Sequence, residues 1–162
     1  SGRRSDDSRA RVWQTSTRPG AGSDVEARVA ALAGRILIGR EGRLTADLAA
    51  RELGWADCHA LKRDLHRLNL PPFRTLQAQF TACRWMLLAE RRGIGLARIA
   101  LEEGRDPASA HRTVRRVSGM SWASLRSVSP RHAFPRLGWL LDLLAPKDGR
   151  VEGASAPRRL AG

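Results

Sequence analysis

One short pattern occurs twice in this chain, as Ala49-Ala50-Arg51-Glu52-Leu53-Gly54 and as Ile99-Ala100-Leu101-Glu102-Glu103-Gly104, and each copy leads into a strongly basic stretch. Between the copies lies Phe73 to Arg92, where Leu76, Phe80, Cys83 and Leu87 fall at i, i+4, i+7 and i+11. That is the apolar stripe of a helix, here of about five turns. Pro71 and Pro72 suit its entrance and Gly93 its exit. A repeated unit on either side of one long helix predicts an all-α fold: two helix-turn-helix units joined by a linker helix, with flexible basic tails.

Charge narrows the partners. The formal net charge is +13, almost all of it from arginine, since Lys62 and Lys147 are the only lysines. Such a surface favours polyanions, nucleic acid first and an anionic membrane surface second. Five Trp, three Phe and no Tyr leave little for a single-strand stacking platform, so helices that read a duplex fit better. Cys58 and Cys83 are too few and too separated for a disulfide framework or a four-ligand zinc site. No apolar run approaches the roughly 20 residues of a membrane helix, and the first residues lack the pattern of a signal peptide. The expectation is a soluble protein of the reducing cytoplasm, with no membrane partner.

Taken in order, residues 1–22 are rich in Ser, Arg, Gly and Asp without apolar periodicity, which predicts a disordered basic tail. Residues 23–72 hold a leading helix and the first helix-turn-helix. Ser23-Asp24-Val25-Glu26 has the capping-box spacing, and Val25, Val29, Leu32 and Ile36 give the buried face of a helix to about Ile38, broken by Gly39 to Gly42. Leu44 to Leu53 reads as a second helix capped by Thr45, with Gly54 as its turn. Asp57 caps a third, whose inner positions are Leu61, Leu65 and Leu68. Residues 73–92 are the linker helix. Residues 93–129 repeat the arrangement: Leu96 to Glu103, then a helix started by Asp106-Pro107 with Ala110, Val114 and Val117 inside, then a closing helix capped by Ser121. Residues 130–162 form a C-terminal extension in which Leu137 to Leu144 is a short apolar helix between Pro135 and Pro146. It is expected to pack on the domain before it serves a partner.

The outer face of the third helix carries His59, Lys62, Arg63, His66 and Arg67, and that of its later counterpart Ser109, His111, Arg112, Arg115 and Arg116. Two helices joined by a tight turn, the second basic and outward-facing, place a recognition helix in the DNA major groove. A linker of about 20 residues is about 30 Å long at 1.5 Å per residue, near the roughly 34 Å between successive major grooves on one face of B-DNA. One chain can then read two grooves as a monomer, on a site without two-fold symmetry. Arg63, Arg67, Arg112, Arg115 and Arg116 lead the candidates, because arginine can donate two bonds to guanine or hold a phosphate. His59, Lys62, His66, Ser109 and His111 rank second. Asp57 and Asp106 are helix caps rather than contacts, since a carboxylate repels phosphate.

These residues carry a resemblance. The order of leading helix, helix-turn-helix, linker helix, second helix-turn-helix and closing helix, over about residues 24 to 128, resembles the DNA-binding region of the AraC/XylS family of bacterial transcription regulators. Ile99-Ala100-Leu101-Glu102-Glu103-Gly104 is similar to the family's Ile-Ala…Gly element. Arg115-Arg116-Val117-Ser118-Gly119-Met120-Ser121 is similar to its basic pair, Gly and Ser-Pro segment, and Leu87-Leu88 to the end of its linker helix. The chain departs from the pattern at Arg105, where the family has an aromatic, at Trp122 in place of Pro, at Val114 in place of Phe, and at Phe80 where the linker helix often has Arg. The resemblance implies a sequence-specific regulator that binds near a promoter and contacts or blocks RNA polymerase.

Other chemistry finds little support in the sequence. Glu102-Glu103 reads as a solvated helix end; paired carboxylates can do acid-base work, but no nucleophile, cofactor loop or metal motif accompanies them. Cys58, His59 and His66 lack a fourth ligand. No enzyme, cofactor or metal is expected. The alternative function is an architectural or adaptor DNA-binding protein of a larger nucleoprotein complex. Its tails would hold DNA loosely, and residues 137–144 would dock RNA polymerase or another protein.

Overall fold

Helix caps determine where this chain bends. The computed structural model describes residues 21–39 and 44–145, with the side chains of 21–23 left out, and every regular element among them is helical. In order these are α1 (Ala21–Ile38), α2 (Ala46–Leu53), α3 (Cys58–Arg67), α4 (Phe73–Arg92), α5 (Leu96–Glu102), α6 (Pro107–Ser118), α7 (Trp122–Arg126), α8 (Pro130–Ala133), a 3₁₀ turn (Pro135–Leu137) and α9 (Gly138–Leu144). Thr45 Oγ1 accepts the Leu48 amide at 3.2 Å, and Asp57 Oδ1 the Ala60 amide at 2.7 Å. Asp106 Oδ2 accepts the Ser109 amide at 2.8 Å and Ser121 Oγ the Ser124 amide at 3.2 Å. Each cap satisfies a first-turn donor that would otherwise lack an intrahelical partner.

The sequence repeat is also a repeat of backbone conformation. After α2 the chain turns at Gly54, φ 89°, and the Trp55 amide bonds back to the Ala50 carbonyl at 2.9 Å. After α5 it turns at Gly104, φ 68°, and the Arg105 amide bonds back to Ala100 at 2.8 Å. Only glycine takes that left-handed conformation without a steric penalty, so the two glycines of the repeat close equivalent turns. The buried pairs Ala49-Ala50 and Ile99-Ala100 lie on the inner sides of α2 and α5.

α4 has the bounds its sequence predicts, but it is more than a spacer. Phe73, Leu76, Phe80, Ala82, Cys83, Trp85, Met86 and Ala89 are all buried, and it packs against α1, α5 and α6. Leu87, expected on the buried stripe, is 41% exposed. The reason is a change of side. Early in the helix Leu76, Phe80 and Cys83 face inward. Trp85 and Ala89 each lie two residues from Leu87, about 200° around the axis, and they are the ones covered in the second half. Burial therefore crosses the helix, and one contiguous apolar core runs from Val29 and Leu32 of α1 through α4 to Ile99, Val114 and Leu125.

Other boundaries differ from expectation. α1 begins at Ala21, so Ser23 lies inside the helix instead of at its cap; once nucleated, a helix extends through any residue that does not block it. Leu44 precedes α2, and its carbonyl accepts the Gln77 side-chain amide at 3.0 Å. α8, started by Ser129 and Pro130, is an element the periodicity does not reveal. Of the tail expected at 1–22, Ala21 and Gly22 are helical and residues 1–20 lie outside the described residues, as do residues 146–162 and most of the Gly39 to Gly42 break. The apolar C-terminal helix packs on the domain as expected: α9 rests on α1, with Leu137 and Leu140 fully buried. Arg136 fastens this segment to the turn after α3, donating from Nε to the Asn69 carbonyl at 3.1 Å and from Nη2 to the Leu70 carbonyl at 3.2 Å. Among the described residues no helix is long and apolar enough to cross a membrane.

The two cysteines give a direct check on this packing. Burial pushes the Cys83 thiol up to about 12, so it is protonated at neutral pH as well as shielded. Cys58, half-buried at the start of α3, is also raised, first by its hydrogen bond with Asp47, but it lies at the surface. Thiol labelling of the folded protein at pH 8 is expected to modify Cys58, with Cys83 reacting only at the rate of unfolding. Prompt labelling of both would mean that the centre of α4 is open to solvent.

Candidate nucleic-acid interface

α3 and α6 share a register counted from their caps. The fourth and eighth residues after Asp57 are Leu61 and Leu65, and those after Asp106 are Ala110 and Val114. All four are buried, at most 2% exposed. The same register aligns Lys62 with His111, Arg63 with Arg112, His66 with Arg115 and Arg67 with Arg116. All eight of these side chains are exposed, as are His59 and Ser109. Every side chain expected at the interface thus lies on the outward face of α3 or α6, and four basic positions coincide in the two helices.

Part of this placement follows from helix electrostatics alone. Cations in the last turn, here Arg67, Arg115 and Arg116, interact favourably with the negative end of the helix dipole. Lys62, Arg63, His111 and Arg112 lie further back and gain less from it. Carboxylate partners are sparse. Arg67 lies 3.7 Å from Asp64 and Arg112 3.7 Å from Asp106, both long contacts in which the arginine is exposed. Arg63, Arg115 and Arg116 form no salt bridge with any described residue. The carboxylates are held elsewhere: Asp64 accepts the Trp55 indole N–H at 2.9 Å, which closes the first helix pair. Asp57 is kept below the usual carboxylate range by the Ala60 amide it accepts, aided by the nearby charges of His59 and Arg63.

Where α4 meets the end of α1 and the turn after α5 lies a polar cluster that the sequence does not announce. The Arg84 guanidinium, in the middle of α4, donates from Nη1 to the Ile36 carbonyl at 3.0 Å and the Gly39 carbonyl at 3.2 Å, at the end of α1. From Nη2 it donates to Glu103 Oε1 at 2.7 Å. The other Glu103 oxygen accepts the Trp85 indole N–H at 3.0 Å. Arg84 and Glu103 side chains are only 12% and 22% exposed. Glu103 is therefore not the solvated helix end expected of it, because its carboxylate is needed to match a buried cation. Glu102 is paired too, with Arg92 at 2.5 Å and with Arg98 at 3.3 Å, and the Arg92 hydrogen bond holds its carboxyl below the usual range. Arg105, at the position where an aromatic was expected, lies 5.7 Å from the centre of the Trp85 ring and 3.5 Å from Glu103. It covers the aromatic of α4 in place of supplying one.

No group of three or more His, Cys, Asp or Glu among the described residues is arranged to hold a metal ion. The concavities are shallow: one of about 430 Å³ is lined by Trp122, Ala123, Arg126 and Ser127, and one of about 400 Å³ by Arg98, Leu101 and Glu102. No protein-family model matches the chain, and comparison with curated proteins and with solved structures likewise finds no match.

Proposed function

We propose that this protein is a sequence-specific double-stranded DNA-binding regulator of transcription, AraC-type in organisation, that inserts α3 and α6 into successive major grooves as a monomer. The observation that carries this reading is the doubled register. Two helices with the same cap, the same buried positions and the same four basic outward positions are presented on one continuous core. A solvated charged face needs no such repetition, whereas a reader of a helical polymer with a regular repeat does. α4, with 20 residues, is about 30 Å long at 1.5 Å per residue, commensurate with one turn of B-DNA. The acid caps at the start of both helices favour approach by their middle and last turns.

Salt dependence separates this from loose binding. Each phosphate neutralised contributes about 0.9 to the slope of log K against log salt. A residue that only holds phosphate is expected, when changed to alanine, to weaken all duplexes alike and lower the slope by about one. A residue that reads a base lowers affinity for one sequence and leaves random duplex binding nearly unchanged. Titrating wild type and the alanine variants of Lys62, His111, Arg67 and Arg116 across salt on selected and random duplexes sorts the two roles. Identical affinity for every duplex at every salt would support the architectural alternative. That alternative has limited apolar surface on α9 for docking RNA polymerase or another protein, since Leu137 and Leu140 are buried against the domain and Leu143 is half-exposed.

A further inference from the structure

We infer that Arg84 and Glu103 form the gauge that fixes the distance and angle between the two basic helices, and so determine the spacing between the two blocks of DNA sequence that this chain accepts. This rests on the two-groove reading for its consequence, although its structural half stands independently. The two halves of the molecule meet in few polar contacts. α1, which belongs with α2 and α3, ends at carbonyls that the helix itself cannot satisfy, and Arg84 donates to Ile36 and Gly39 there. Glu103 lies in the turn between α5 and α6, three residues before the Asp106 cap that starts the second basic helix. One guanidinium thus holds the end of the first half with one nitrogen and the pivot of the second half with the other.

The rest of the cluster restrains Glu103 from the remaining sides. Trp85 Nε1 bonds its second oxygen, and Arg105, which follows Gly104, lies over the Trp85 ring and within 3.5 Å of the same carboxylate. Apolar packing alone is non-directional and tolerates small rotations of one helix on another. A nearly buried charge pair joined by a short hydrogen bond has defined geometry, and the guanidinium holds Glu103 with one nitrogen and the end of α1 with another, two directions at once in a way that a lysine ammonium does not. Arg84 and Glu103 are positioning residues, remote from the exposed side chains that would face DNA. Their effect should appear in the relation between the two helices and leave each helix's own contacts intact.

The test is made on the full chain. Spin labels are placed on Ala56→Cys and Ala108→Cys, exposed positions beside the caps of α3 and α6, in a Cys58→Ser background. The interspin distance is measured without DNA. A single narrow distance is expected for the parent, and a broadened or split distribution for Glu103→Gln, which preserves shape and removes charge. Glu102→Gln, in the neighbouring exposed pair, is expected to leave the distance unchanged. Should Glu103→Gln fail to fold, Glu103→Asp keeps the charge but withdraws it by one methylene, and it is expected to shift the distance. On a selected two-block duplex, adding or removing one base pair between the blocks is expected to weaken wild type by about tenfold, the scale of one badly met base pair. Glu103→Gln is expected to lose most of that discrimination and to bind a single-block duplex as wild type does. A narrow, unshifted distance in the folded Glu103 variants, or retained spacing discrimination, would overturn the inference. Absence of any two-block site for wild type would instead overturn the two-groove reading, and the distance measurement would still decide the role of the pair.

Discussion

Replacing Arg63 by alanine is expected to weaken binding to the selected duplex by about 1 to 3 kcal/mol, roughly 5- to 150-fold, and to abolish preference in one of the two sequence blocks. Arg115→Ala is expected to do the same to the other block. These two are chosen because each is exposed on the outer face of its helix and neither forms a salt bridge with a described residue. Their loss therefore leaves no carboxylate newly unpaired, and the change in free energy reports the contact with DNA. Arg67 and Arg112, each with a carboxylate 3.7 Å away, are less direct probes. Electrophoretic mobility or fluorescence anisotropy on duplexes with either block scrambled measures both effects. A uniform loss across all sequences would assign Arg63 and Arg115 to phosphate.

Trp85→Ala is expected to have the largest effect on stability, about 3 to 5 kcal/mol, a large share of the 5 to 15 kcal/mol typical of a small domain. The side chain is fully buried on the side of α4 where burial crosses over. Its removal opens a cavity, deprives Glu103 of the indole N–H, and takes away the ring over which Arg105 lies. All three losses fall at the junction of the two halves, so unfolding by urea is also expected to become less cooperative. A cost below 1 kcal/mol with an unchanged slope would mean that Trp85 is not a core residue and that α4 does not unite the halves.

Much of the architecture was legible because caps and glycine turns act locally. Thr45, Asp57, Asp106 and Ser121 each cap the helix expected of them, and Gly54, Gly93 and Gly119 each end one, since these preferences depend on a few neighbouring atoms. The candidate contacts on α3 and α6 were legible for a related reason: leucine, alanine and valine at helical spacing fix the inner face, and the rest must point out. What depends on distant parts of the chain was not legible. Leu87 fits an apolar stripe, yet the stripe cannot show that coverage of α4 changes sides. Arg84 carries no local signal of its role, being one arginine within an apolar helix. Only the meeting of α1's last carbonyls with Glu103, far along the chain in both directions, turns it into a buried partner. Arg105 and Glu103, which looked like a departure from pattern and a solvated end, are two parts of the same cluster. The one available signal was an arginine beside a tryptophan within an apolar stretch of α4.

Two helices of one chain read two successive grooves in the proposed mode of binding. It is tested most directly by selection from random duplexes of about 30 base pairs at near-physiological salt, with the mass of the selected complex measured by sedimentation. One protein per duplex is expected on an asymmetric site, with two enriched blocks whose centres lie about one helical turn apart. A palindromic site carrying two proteins, or measurable affinity with no enriched sequence, would contradict it.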